Sequence, residues 1–190
     1  PSNASSNVTG STANSTHTYD TAKALTTNGY SLTGWTFDSW NTLANGTGTK
    51  YTNSASVKNL ATSGTFTLYA QWTANTYSVK YDSNKPSTAS ATISGTMANT
   101  SHTYDTASAL RTNTFTLTGW TFTGWNTAAN GSGISFADGA DVSTLNSTNG
   151  GETTLYAQWS ANTYTVVYDA NKPSNASSNV TGSTANSTHT

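Results

Sequence analysis

The sequence predicts a mainly β protein, with small α+β character at most, made of tandem modules. Three observations carry that prediction. First, blocks of sequence recur: His17-Thr18-Tyr19-Asp20-Thr21 returns as His102-Thr103-Tyr104-Asp105-Thr106, and Leu32-Thr33-Gly34-Trp35-Thr36-Phe37 returns as Leu117-Thr118-Gly119-Trp120-Thr121-Phe122. Self-similarity at a fixed period is the mark of repeat architectures. Second, Tyr77-Ser78-Val79-Lys80-Tyr81-Asp82 alternates apolar and polar residues with period two, as does Tyr164-Thr165-Val166 onward to Asp169; that is the pattern of a half-buried strand. Third, charged residues make up only 8% of the chain, which is dominated by Thr, Ser, Asn and Gly, residues that favour strands and turns over helices.

Taken in order along one module, Asp20-Thr21-Ala22-Lys23-Ala24-Leu25 predicts a short N-capped helical turn. Trp35 and Phe37 share one face of a strand. Trp40 breaks that parity, so a bulge or tight turn is expected near Asp38-Ser39, and near Thr123-Gly124 in the second module. Asn45-Gly46-Thr47-Gly48 reads as a turn between strands, and Ala55 to Leu60 as another short helical piece. Leu68, Ala70 and Trp72 then lie on one face of a strand, with Tyr69 and Gln71 on the other. Only four residues separate Trp72 from Tyr77, so successive modules join almost strand to strand. The expected core is Trp35, Phe37, Trp40, Leu68, Trp72, Tyr77, Val79 and Tyr81, followed by Trp120, Phe122, Trp125, Leu155, Trp159, Tyr164, Val166 and Tyr168. Each large ring can bury on the order of 150–250 Å², so a few per module replace many aliphatic side chains.

The offset between copies is 85 residues as far as Leu60 and Leu145, and 87 from Leu68 and Leu155 onward. The two extra residues fall in Ser147-Thr148-Asn149-Gly150-Gly151, a turn composition. Residues 173–190 repeat residues 1–18 letter for letter. These relations predict a module at 1–74 without its first strand, a complete module at 75–161, and at 162–190 the first strand and loop of a further module. The expectation is a window on a longer array.

A formal charge of −1 with no basic run argues against nucleic acid or an anionic membrane as partner, and no apolar stretch approaches the roughly 18 residues that span a bilayer. With no Cys, disulfides and thiolate metal sites are excluded. His17, Asp20 and nearby serines do not form a hydrolase constellation, because each module offers one His and no nucleophile elbow. Asp138-Gly139-Ala140-Asp141 lacks the spacing of a calcium loop. Lys85 and Lys172 occupy matching positions, but nothing in the sequence demands an isopeptide bond. No catalytic residue, metal or cofactor is expected. Asn3, Asn7, Asn14, Asn45, Asn99, Asn130, Asn146, Asn175, Asn179 and Asn186 head Asn-x-Ser/Thr sequons and are candidate glycan acceptors.

The signature Gly-Trp-Thr-Phe-x-x-Trp-Asn-Thr, then Ala-Asn-Gly-x-Gly, then Thr-Leu-Tyr-Ala-Gln-Trp resembles the Listeria–Bacteroides repeat, also known as the B-repeat of internalin-type surface proteins. The strand Tyr164-Thr165-Val166-Val167-Tyr168-Asp169 resembles the start of the same repeat. One departure is Asn84-Lys85-Pro86-Ser87, where members of that family usually carry two glycines. The resemblance implies β-grasp-like modules used in tandem as stalk or adhesin segments of surface proteins. The expected role is therefore an extracellular, non-catalytic spacer whose partners are neighbouring modules, in the same chain or head-to-tail between chains. The alternative is a module that binds host protein or glycan directly.

Overall fold

The computed structural model describes Ser2–Thr190; Pro1, the first residue of the expected 1–74 module, lies outside that range. The first module contains β1 (Thr9–Gly10), β2 (Lys23–Ala24), β3 (Tyr30–Ser31), β4 (Trp35–Asn41), β5 (Lys50–Tyr51), β6 (Ser56–Val57) and β7 (Tyr69–Ala74). The second contains β8 (Thr76–Asp82), β9 (Thr100–Thr103), β10 (Ser108–Ala109), β11 (Trp120–Asn126), β12 (Ser135–Phe136), β13 (Asp141–Val142) and β14 (Gly151–Ala161). A terminal ribbon of β15 (Tyr164–Val166) and β16 (Ser187–His189) follows.

No helix occurs among the described residues, so the protein is mainly β. The two short helical pieces expected at Asp20–Leu25 and Ala55–Leu60 are a correction. They are extended and pair with each other, Lys23 opposite Val57 and Ala24 opposite Ser56. The reason is local. Asp20, Ser54 and Asn59 have φ of 61°, 59° and 57°, left-handed values that interrupt any right-handed helix. The antiparallel ribbon also turns both Leu25 and Val57 into the core, where they are 8% and 5% exposed. The counterpart ribbon β10–β13 supplies Leu110 and Val142 in the second module.

The second module is organised by a five-stranded sheet in the order β12-β11-β14-β8-β9. Its pairs are antiparallel except β14 with β8, which run parallel from Gly151↔Tyr77 to Tyr156↔Asp82. Tyr77, Val79 and Tyr81 of β8 meet Trp125, Leu155, Ala157, Leu110, Phe115 and Val142 in one buried cluster, with Phe122 and Trp159 packed against it. Trp125 holds the centre, fully buried, with its ring edge-on to Tyr81, Phe115 and Phe122 at centroid distances of 5.1, 6.4 and 5.1 Å. The expected bulge is present in both copies: the β11–β14 register shifts between Phe122 and Gly124, and the β4–β7 register between Phe37 and Ser39. One extra residue on that strand puts Phe122 and Trp125, three apart, on the same face.

The turn after β11 is built by one side chain. Asn126, 1% exposed, donates to Gly131 O, Gly133 O and Ser135 Oγ and accepts from the amides of Ala128 and Gly133. Asn41 makes four of these five contacts in the first module. Stranding such backbone groups in a buried place costs about 1–3 kcal/mol each. Asn126→Ala is therefore expected to destabilise the second module by at least about 2 kcal/mol, read as a loss of urea midpoint. A change within about 0.5 kcal/mol, the usual range for surface substitutions, would show that the side chain does not organise the turn.

The first module has a smaller, three-stranded sheet, β5-β4-β7. Among the described residues no strand lies in the place that β8 takes in the second module. The consequence is visible in β7, which starts at Tyr69 and pairs only with β4, whereas β14 starts at Gly151 and pairs with both β11 and β8. Leu68 is half-buried and Phe66 is 41% exposed, while Leu155, the counterpart of Leu68, has no exposed surface.

Candidate functional site: the module junction and an open groove

The strand-to-strand connection is centred on Asn75, between β7 and β8. Its side chain and backbone are used completely. The amide donates to Gly34 O at 2.8 Å and the side-chain oxygen accepts from Thr36 Oγ1 at 2.6 Å, which ties it to the first module. Its carbonyl accepts from the Tyr104 amide at 2.8 Å and its Nδ2 donates to Ser147 O at 2.7 Å, which ties it to the second. Thr76 adds two bonds to the turn carrying the two-residue insertion: its amide donates to Asn149 Oδ1, and its carbonyl accepts from Gly150. The insertion thus lengthens a turn that grips the linker.

A second contact stands beside the linker. Tyr104 is 7% exposed and its ring lies directly on Gly34, which has φ 76° and no side chain to hold it off. Next to it the Trp35 indole donates to Asp105 Oδ2 at 2.9 Å, and the Ser5 amide donates to the same oxygen at 2.9 Å. Burial works against the Asp105 charge, but the hydrogen bonds from Ser5 and Trp35 outweigh it and hold this carboxyl below its ordinary value. Residues from both modules therefore share one carboxylate.

His102 sits in β9 and is 3% exposed. Its ring stacks on Tyr77 at 5.5 Å, Nε2 bonds Thr100 Oγ1 at 2.8 Å, and Nδ1 has no partner. Burial disfavours the imidazolium and lowers its pKa from the ordinary value, while burial pushes the Tyr77 hydroxyl up. Because the folded-state value of His102 is depressed, its contribution is fully present above the unfolded value of about 6.5 and is lost as pH falls through the folded one. The second module is expected to lose stability on acidification below about pH 6.5, and His102→Phe to flatten that slope. An unchanged slope in thermal midpoints measured from pH 7 to pH 5 would refute the assignment.

Asp38 pairs with Lys50 across β4 and β5 at 2.9 Å, and four further acids brace loops and turns. Asp82 and Asp169 accept from the amides of Asn84 and Asn171, and Asp20 pairs with Asn59. Asp138 accepts from the Asn113 amide and the Trp125 indole. No group of three His, Cys, Asp or Glu side chains that could hold a metal occurs among the described residues.

The expected core residues divide into five sets. Tyr77, Val79, Tyr81, Trp125 and Leu155 are buried in the second module and Trp40 in the first, while Phe122 and Trp159, and Phe37 and Leu68, pack on those clusters. Trp72 packs edge-on against Phe37 at 5.8 Å. Trp35 and Trp120 are corrections: both are half-buried at strand ends outside the clusters, at the position that follows Gly34 or Gly119, and the Trp35 indole is turned to Asp105 of the second module. Tyr164, Val166 and Tyr168 are also corrections. Tyr164 and Tyr168 are 61% and 53% exposed and Val166 is half-buried, because β15 pairs only with β16, without the second sheet neighbour and covering ribbon that enclose β8.

The first module, lacking a β8 equivalent, carries a groove of about 650 Å³ lined by Leu25, Tyr30, Trp40, Val57, Leu60 and Leu68, with Thr12–Thr18 along its rim. The Trp40 indole nitrogen there has no hydrogen-bond partner, whereas Trp125 reaches Asp138. Sequence reading overlooked Asn75, Tyr104 and Gly34 as a set. A signal was present: Tyr19 and Tyr104 are identical between copies, while core positions drift from Tyr30 to Phe115 and from Tyr51 to Phe136.

Comparison with known proteins agrees with the repeat. The profile of the Listeria-Bacteroides repeat domain matches residues 3–71 and again 77–158. A protein of Evansella cellulosilytica named as a Gly-rich membrane protein is 36% identical over 149 residues, covering 77% of this chain and 16% of that relative. A second protein of the same organism, named as a membrane protein, is 39% identical over 97 residues, covering 50% of this chain and 13% of its own length. The chain thus spans less than a fifth of these relatives. No solved structure matches it. With two copies of the profile accounting for nearly every residue between 3 and 158, the chain belongs to the Listeria-Bacteroides repeat domain family.

Proposed function

We propose that this chain is a non-catalytic spacer, a segment of a cell-surface stalk or fibre in which repeat modules are held in a fixed relation. The observation that carries the reading is the junction. Asn75 commits all four of its hydrogen-bonding groups, two to each module. Tyr104 and Asp105 close the same joint onto Gly34 and Trp35. Modules that contact mainly their sequence neighbours form quasi-linear arrays, and a satisfied joint of this kind stiffens one. The family and the membrane-protein names of the relatives support placement at a cell surface, with the modules extracellular. The low charge and the sequons, Asn45 and Asn130 among them, suit a solvated, glycan-bearing exterior.

The test is mechanical and competitive. Pulling the chain end to end is expected to give two separate unfolding events over a rod of fixed inter-module orientation, seen as a narrow orientation distribution in solution scattering. A panel of glycans and matrix proteins is expected to show no binding. Measurable affinity for a panel member would favour the adhesive reading, and a broad orientation distribution would remove the stiff joint on which the spacer depends.

A further inference from the structure

The chain enters the second module at Thr76, the first residue of β8, and leaves it at Ala161, the last residue of β14. These two strands are neighbours in the sheet and run parallel, in register from Gly151↔Tyr77 to Tyr156↔Asp82. Tension along the chain therefore draws β8 and β14 in opposite directions along a common axis. The evenly spaced bonds of a parallel ladder lie across that axis, so the load falls on all the pairs at once. Pulled apart from one end, the same ladder would open one pair at a time. We infer that the second module is a shear clamp, a load-bearing element that resists pulling along the chain far better than pulling across it. The inference rests on the spacer reading for the source of tension and adds to it the direction in which the module is strong.

Contacts outside the ladder reinforce the same pair of strands at both ends. Where β8 begins, the Thr76 carbonyl accepts from the Gly150 amide at 2.8 Å and the Thr76 amide donates to Asn149 Oδ1 at 3.1 Å. The inserted turn thus ties the loaded end of β8 to the start of β14. Just past the other end of β8, Asn84 Nδ2 donates to Ala157 O and the Trp159 indole donates to Ser83 O, both at 2.9 Å. Neither strand is at an edge of the sheet, whose order is β12-β11-β14-β8-β9. The later half of β14, Tyr156–Ala161, is paired with β11, so load leaving at Ala161 has to shear that ladder as well.

The core blocks sliding. A slip of one residue would turn Tyr77, Val79 and Tyr81 out of the core and onto the solvent face. A slip of two, about 7 Å, would keep the faces but drag the Tyr81 ring past Trp125, now 5.1 Å away. Val79, Leu155, Ala157 and Trp125 have no exposed surface, which leaves no room for partial displacement in a close-packed interior. The Tyr81 hydroxyl also accepts from the Arg111 amide at 2.9 Å, pinning β8 to the ribbon that covers it. Forced unfolding is governed by the unfolding rate rather than by the folding free energy. Resistance therefore depends on which contacts must break first, and in this module those are the β8–β14 contacts.

Changing only the direction of pull tests this. The chain has no native cysteine, and Thr76, Thr148 and Thr163 are exposed, so thiol-linked handles can be placed at these positions in the full chain. Thr76→Cys with Thr163→Cys loads β8 against β14 in shear. Thr76→Cys with Thr148→Cys pulls the two strands apart from the end at which Tyr77 faces Gly151. At one loading rate the shear geometry is expected to unfold at about twice the force or more, because the pairs of the ladder break together rather than in sequence. A pair of substitutions gives a second readout. Val79 lies in β8, and Val142, 6% exposed, lies in the β10–β13 ribbon outside the clamp. Val79→Ala is expected to lower the shear force and Val142→Ala to leave it nearly unchanged, although each empties the same buried volume. Equal forces in the two geometries, or equal losses from the two substitutions, would overturn the clamp. Neither result touches the joint at Asn75, and the spacer reading fails separately, on a broad orientation distribution between modules.

Discussion

Replacing Trp125 by alanine is expected to lower the more stable of two unfolding transitions sharply. The intact chain should unfold in two steps, residues 2–74 first, because that module lacks one strand of its sheet and leaves Leu68 half-buried. The second module, with Val79, Leu155, Ala157 and Trp125 all at 0% exposure, should follow. Removing the central ring forfeits its three edge-on aromatic contacts and opens a cavity that the surrounding strands cannot close. Truncations of this kind cost about 3–5 kcal/mol, against the roughly 5–15 kcal/mol that holds a domain together. For a module of this size each kcal/mol moves the midpoint by about 4–8 °C, so a fall of at least ~12 °C is expected by calorimetry. Trp40→Ala should cost less, since Trp40 faces the open groove and its indole nitrogen is already without a partner. Equal effects of the two substitutions, or a shift of only a few degrees for Trp125, would contradict this account of the core.

A pair of glycine substitutions isolates the joint. Gly34 and Gly119 occupy equivalent turns with φ of 76° and 81°, so alanine at either meets the same left-handed backbone penalty of about 1–2 kcal/mol. Only at Gly34 does the added Cβ fall inside the Tyr104 ring; at Gly119 it meets nothing within 4 Å. Gly34→Ala is therefore expected to expel Tyr104 and separate Trp35 from Asp105, uncoupling the modules, while Gly119→Ala leaves them coupled. The readout is the orientation distribution from scattering, together with Tyr104 side-chain resonances, which should move to the solvent-exposed range in one variant only. Matched behaviour of the two would mean that Tyr104 contributes nothing to the joint beyond backbone strain.

Much of this fold was legible because repetition does the work of an alignment within one chain. Strand alternation at Tyr77–Asp82, the bulge beside Trp40 and Trp125, and the turn after Asn45 all follow from local pattern. The helical turns expected near Asp20 and Ala55 did not survive. Those segments are too short to be held by propensity, and pairing with each other buries Leu25 and Val57, which a helical turn would not ensure. The placing of Trp35 and Trp120 also misled, since an indole at a strand end has the same periodicity as one in the middle. Only the location of the next module decides which of the two it is.

The sequence by itself determined that two equivalent β-rich units follow one another and which aromatic residues alternate toward their cores, because period-two patterning and recurrence are properties of the chain alone. Tertiary structure decided the rest: that β14 and β8 run parallel, that the inserted turn at Ser147–Gly151 grips the linker, and that the same Tyr-x-Val-x-Tyr pattern is buried at Tyr77 and exposed at Tyr164. The physical reason is that burial belongs to a pair of surfaces. A strand's sequence specifies which face is apolar, and only the presence of a groove beside it specifies whether that face is covered.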